Sequence, residues 1–286
     1  MFHEIDILNN ISEIPSNFNK PYIIKNGCKT MGAISKWNFD YIKNNMNNVL
    51  FPVEIYNNKK DMSTSNVSKI IELEFDIIVN NIKKKKSPYY YCAEIDLLNF
   101  KEKINEQIFD DIDFEYDTIR ESQNNLIFMG HNTQSGCHLH TGDDFMLNQI
   151  FGTKIVYLFD YNDNPDLKFN SFFSRRCNFT KENFFDLDLK KYKIYQVILN
   201  PGDSLLIPPW WFHAVLGIGD CCSITKTYYR TDYYYFIKHP YIFLLFLSGL
   251  IREYFIGFEN FFIFYNKQLI IVLSLLMLYC LNYLCS

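Results

Sequence analysis

The stretch Pro201-Gly-Asp-Ser-Leu-Leu-Ile-Pro-Pro-Trp-Trp-Phe-His213 decides how this 286-residue chain is read. Its Pro-Gly-Asp opening is a turn signal, Ser204 to Pro208 is a short apolar strand, and a histidine follows the strand end. Upstream lies Gly136-Cys-His-Leu-His-Thr-Gly-Asp-Asp144, which leads on to Gly152-Thr-Lys154. Residues two apart on a strand point the same way, so His138 and His140 are expected to project together into a barrel. In an antiparallel barrel the strand leading to His213 can lie beside the first. Three imidazoles converging from neighbouring strands form a facial set that leaves coordination positions open on a metal ion. A lone histidine is more often a structural residue. Three of the chain's six histidines in two such segments point to a metal.

Around these segments the strand signals are dense. Leu126 to Gly130, Lys154 to Phe159, Tyr192 to Leu199 and Cys222 to Tyr228 are short apolar runs joined by polar, Gly- or Pro-containing turns, the pattern of a sandwich or jelly roll. Further upstream, Pro21 to Gly27, Val53 to Tyr56 and Pro88 to Ala93 read as strands. Ser35 to Lys43 and Phe100 to Phe109 read as short helices. Val67 to Ile82 places apolar residues at helical spacing and predicts an amphipathic helix. The fold class is therefore all-β, with flanking N-terminal helices.

Composition narrows the function. Aromatics reach 18%, with 27 Phe and 21 Tyr, which favours a packed, strand-rich globule. A formal net charge of -4 provides no global basic field to recruit nucleic acid. The run Lys83 to Lys86 reads as a solvated loop. Eight cysteines show no CxxC pair and no regular framework, so they read as reduced thiols of a cytosol-like compartment. The first residues lack the basic and apolar regions of a signal peptide.

After about Tyr235 the composition changes. Residues 237–267 form a hydrophobic, membrane-proximal stretch interrupted by Arg252 and Glu253. Residues 268–286 hold an uncharged apolar run that ends the sequence. From Leu269 to Cys285 it would rise about 25 Å as a helix, at the short end of what crosses a hydrocarbon core. A C-terminal transmembrane helix is expected, with Lys267 at its edge favouring a cytosolic globular domain over residues 1–236.

The Pro201 to His213 segment resembles the distal motif of the cupin-like, JmjC-related family, and the His138 to Lys154 segment resembles its proximal motif. The resemblance covers residues 20 to 230, with the core motifs at 126–228. It implies a double-stranded β-helix and an iron(II)- and 2-oxoglutarate-dependent oxygenase acting on a protein or other macromolecule. Carried over residue by residue, it makes His138 and His213 iron ligands and Lys154 the partner of the 2-oxoglutarate carboxylate. Tyr91 and Ser135 lie where the family places hydroxyls that share that carboxylate. Of Trp210 and Trp211, one is expected in the core and one at the barrel mouth.

One departure matters. Where the family usually has Asp or Glu two residues after the first His, this chain has His140, so three neutral imidazoles bring no negative charge to the metal. His140 ligates directly, as in three-histidine dioxygenases of small molecules; or Asp143 or Asp144 swings in as the carboxylate; or catalysis is lost and the barrel is a binding scaffold at a membrane. The residues alone leave these three open.

Overall fold

A computed structural model describes residues 2–46, 48–140, 143–160, 163–164, 166–168, 170 and 178–229. The first compact unit of the chain ends at Tyr235. The segments at 237–267 and 268–286, read above as membrane-associated, lie outside the described residues. No helix among the described residues is long and apolar enough to cross a membrane.

The N-terminal part alternates short strands and helices: β1 (Asp6–Leu8), β2 (Tyr22–Ile24), α1 (Gly32–Lys36), α2 (Phe39–Asn45), β3 (Leu50–Tyr56) and α3 (Lys59–Ser63). It continues with β4 (Lys69–Glu74), α4 (Phe75–Lys83), β5 (Tyr89–Asp96) and α5 (Gln107–Asp111). Beyond α5 the described residues form the strands β6 (Asn124–His131), β7 (Asp143–Asp160), β8 (Tyr195–Leu199), β9 (Ser204–Ile207) and β10 (Trp211–Tyr229), with only short 3-10 turns between them. Mostly β and jelly-roll-like, it agrees with the strand-rich reading of the sequence.

Two long strands organise the architecture. The first half of β7 pairs with β9 and the second half with β8. The partner strand β10 runs antiparallel along all of β7, and its second half also pairs with β6. Between Ile218 and Cys222 the ladder slips, which bends both strands so that their halves belong to different walls. Gly152 sits at this bend with φ of 72°, and a Cβ there would lie 2.2 Å from the Asp220 carbonyl oxygen. Only glycine tolerates both conditions. On the far side, β5, β3 and β4 extend the sheet beyond β6.

Two expectations are corrected. Val67 to Ile82 is not one helix: Lys69–Glu74 is a strand paired to β3, with Ile71 opposite Val53, and the helix begins only at Phe75. Ile70, Ile71 and Leu73 satisfy either period over so short a run, and a neighbouring strand with open hydrogen bonds decides it. Phe100 to Phe109 likewise breaks into a 3-10 turn at Leu97–Phe100 and the short α5.

The main core packs Trp37, Phe39 and Ile42 from the first helices, and Ile78, Val79 and Ile82 from α4, against Met129, Met146 and Ile224 of the sheet. A carboxylate fastens the helices. Asp111 at the end of α5 accepts hydrogen bonds from Trp37 Nε1 (3.0 Å), Tyr41 Oη (2.6 Å), Gln107 Nε2 (3.1 Å) and Lys36 Nζ. Its side chain is fully buried.

Candidate metal centre

His213 opens β10, and His138 lies just outside the regular strands. The segment before β7 nevertheless runs beside β10, with an antiparallel bridge between His138 and His213. The two residues exchange backbone hydrogen bonds: His213 N donates to His138 O (2.8 Å) and His138 N to His213 O (3.1 Å). Trp210 N donates to His140 O at 3.0 Å. The main chain itself therefore clamps both histidine motifs together. One potential ligand atom from each of His138, His140 and His213 lies within 4.8 Å of the others.

The rings are oriented by their surroundings. His138 Nδ1 lies 2.8 Å from the Gly136 carbonyl, and His213 Nδ1 lies 3.3 Å from that of Trp211. A carbonyl only accepts, so each Nδ1 carries the proton and each Nε2 keeps its lone pair. Phe179 stacks on His138 (ring centroids 4.6 Å apart) and Phe145 on His140 (3.6 Å). Burial pushes His140 and His213 well below the ordinary imidazole pKa, and each also feels repulsion from a protonated His138. Burial lowers His138 too, opposed by the Gly136 carbonyl and by the negative charge of Glu94. Neutral imidazoles are the form that binds a metal. The donor set fits a divalent transition ion.

The three rings open onto a cavity of about 160 Å³ that Lys154, Tyr91 and Ser135 also line. Lys154 projects from β7 and is 2% exposed. Its ammonium donates to the Ser223 hydroxyl and lies 5.4 Å from the centre of the Phe128 ring. No carboxylate pairs with it among the described residues. Burial pulls its pKa down. Such a group calls for an anion from outside the chain. Ser135 Oγ accepts from Val215 N at 3.1 Å, and the Tyr91 side chain reaches the cavity from β5.

The aspartates are elsewhere. Asp144 is 1% exposed and pairs with Arg120 at 2.8 Å, where the guanidinium already neutralises it. Neither Asp143 nor Asp144 belongs to the clustered ligand atoms. Both tryptophans are buried, and neither lines the cavity, so the expectation of one at the mouth is corrected. Trp211 donates from Nε1 to the Asn19 carbonyl instead.

Sequence reading did not single out several groups at the site, of which Ser223 holds Lys154 without itself lining the cavity. Ser223 sits one residue from an unremarkable cysteine pair, and Phe145 follows the aspartates. Glu54 and Glu94 place two carboxylates on the wall. Nothing local marks Glu94, which strand alternation from Tyr91 would turn the other way.

Residues 15–235 match the family described as cupin-like domain. Two curated relatives from Dictyostelium discoideum are also similar. JmjC domain-containing protein F is 24% identical, in an alignment covering 73% of this chain and 57% of the relative. JmjC domain-containing protein A is 26% identical, covering 72% of this chain and 86% of the relative. The chain thus spans little more than half the length of the first and most of the second.

Proposed function

Because the chain belongs to the cupin-like domain family, we propose that it is an iron(II)- and 2-oxoglutarate-dependent oxygenase that hydroxylates a protein or other macromolecule. The observation that carries this reading is one small cavity holding three clustered imidazoles and a buried ammonium without a carboxylate partner among the described residues. His138, His140 and His213 would hold the metal, two of them through Nε2 atoms freed by the carbonyls of Gly136 and Trp211. Lys154 would take the distal carboxylate of 2-oxoglutarate, with the Tyr91 and Ser135 hydroxyls beside it. When bound, iron with 2-oxoglutarate and dioxygen would supply oxidative hydroxylation, in which 2-oxoglutarate loses carbon dioxide to become succinate, one oxygen atom entering the succinate and the other a substrate C–H bond. The phenyl rings of Phe145 and Phe179 shield two imidazoles from water and fix their planes. We further propose that the apolar run within 268–286 tethers this domain to a membrane, with the domain on the cytosolic side.

The test is anaerobic titration of the full chain, in mild detergent, with iron(II) and 2-oxoglutarate. A weak visible charge-transfer band that needs both ligands is expected, and His213→Ala should abolish it together with bound iron. Iron binding without that band, unaffected by Lys154→Ala, would favour a three-histidine dioxygenase of small molecules. No iron binding at all would leave the barrel a binding scaffold.

A further inference from the structure

The centre has three imidazoles and no carboxylate among its clustered ligand atoms, yet two carboxylates line the same cavity from strands added ahead of the barrel, Glu54 on β3 and Glu94 on β5. They differ in what holds them. Glu54 accepts the Tyr56 hydroxyl at 2.6 Å. No side-chain hydrogen bond or ion pair with a described residue engages Glu94.

Regular alternation would point Glu94 away from the cavity. Tyr91 and Ala93 line it, and Cys92 faces the opposite way into the main core. Glu94 should follow Cys92. The ladder between β5 and β6 prevents this: Cys92 pairs with Met129, and the next pair is Ile95 with Ile127. Ala93 and Glu94 together therefore oppose the single residue Phe128, which is a β-bulge. Glu94 takes a left-handed φ of 53°, and Tyr91, Ala93 and Glu94 all line the wall. Left-handed backbone at a non-glycine residue is costly and is retained where the fold over-determines it. The bend leaves the Glu94 side chain exposed at the wall of the cavity that His138, His140 and His213 also line.

We propose that Glu94 supplies, from the cavity side, the negative charge that three neutral imidazoles fail to bring to a divalent ion. It is a positioning residue for the metal, contributed by a strand more than forty positions ahead of the first histidine. This rests on the metal site proposed above and adds a residue to it. The physical basis is the attraction between a divalent cation and a carboxylate across a partly solvated gap, which weakens as salt screens it.

Equilibrium dialysis of iron(II) against the full chain under anaerobic conditions tests it. Glu94→Gln should weaken iron binding about tenfold at low ionic strength, with the difference shrinking in high salt. Glu94→Asp keeps the charge, tolerates the left-handed backbone and should bind iron within about threefold of the wild type. Glu94→Gly should melt no earlier than the wild type, since glycine relieves the backbone, and still bind iron about tenfold more weakly. Wild-type affinity in Glu94→Gln, or equal losses in the Asp and Gln variants, would overturn the assignment while leaving the three-histidine centre in place. A wild-type chain that binds no iron defeats both.

Discussion

Lys154 shows what one side chain contributes. An ammonium buried beside a hydroxyl and a phenyl face has lost its water without gaining a counter-charge among the described residues. The folded state should therefore be less stable with this lysine than with an apolar residue of similar shape. The pH dependence follows from the sign of the shift. Burial lowers the folded pKa below the unfolded value near 10.4, so the unfolded chain binds more protons between the two and stability rises with pH there. Lys154→Met should stabilise the ligand-free protein by about 1–2 kcal/mol in urea denaturation and remove that alkaline rise. It should also abolish 2-oxoglutarate binding. A variant less stable than the wild type would show that the ammonium is compensated after all. The histidines were legible at this scale, because spacing and strand direction suffice to suspect them. Ser223 and Phe145 were not, since their roles exist only once β7 and β10 are paired.

At the scale of elements, a few joints set the geometry. The bend shared by β7 and β10 lets one pair of strands serve both walls, and Gly152 is its hinge point. Residues Gly152 and Lys154 stand out together in the sequence, but the reason for the glycine is the Asp220 carbonyl it must clear. The helices are joined by Asp111. Burial alone would raise its pKa, but hydrogen bonds from Lys36, Tyr41, Trp37 and Gln107 outweigh that and hold it below the ordinary carboxylate value. The carboxylate therefore adds stability that is fully present above the unfolded pKa near 3.9 and is lost as pH falls through the lower folded value. Asp111→Asn should lower stability at neutral pH by about 2–3 kcal/mol, and the gap to the wild type should close in acid. Urea titrations at a neutral and an acidic pH check this. A gap that stays constant would mean that the cost is packing rather than charge. The misread segment at Lys69–Glu74 belongs to this scale as well. Its apolar spacing suits a helix, and pairing to β3 overrides it.

For the whole molecule, the cavity is a product of distant parts of the chain. Its wall takes Tyr91 and Glu94 from the N-terminal strands, His138 and His140 from the approach to β7, and His213 from the start of β10. None of these pieces makes a site alone. The apolar run within 268–286 is a separate matter of chain composition. If it tethers the domain, the full chain should sediment with membranes and resist extraction by alkaline carbonate, whereas a chain ending at residue 236 should be released. Recovery of the full chain in the carbonate supernatant would end that reading.

The sequence by itself determined the strand-rich character, the Pro-Gly-Asp turn and the two histidine segments, because turn chemistry and side-chain alternation act over a few residues. Only the tertiary structure decided that His138 and His213 share backbone hydrogen bonds, that Asp144 is taken by Arg120, and that a bulge in β5 brings Glu94 to the cavity wall. The physical reason is common to all three. Each depends on which strand lies alongside and in what register, and register is a property of two segments at once.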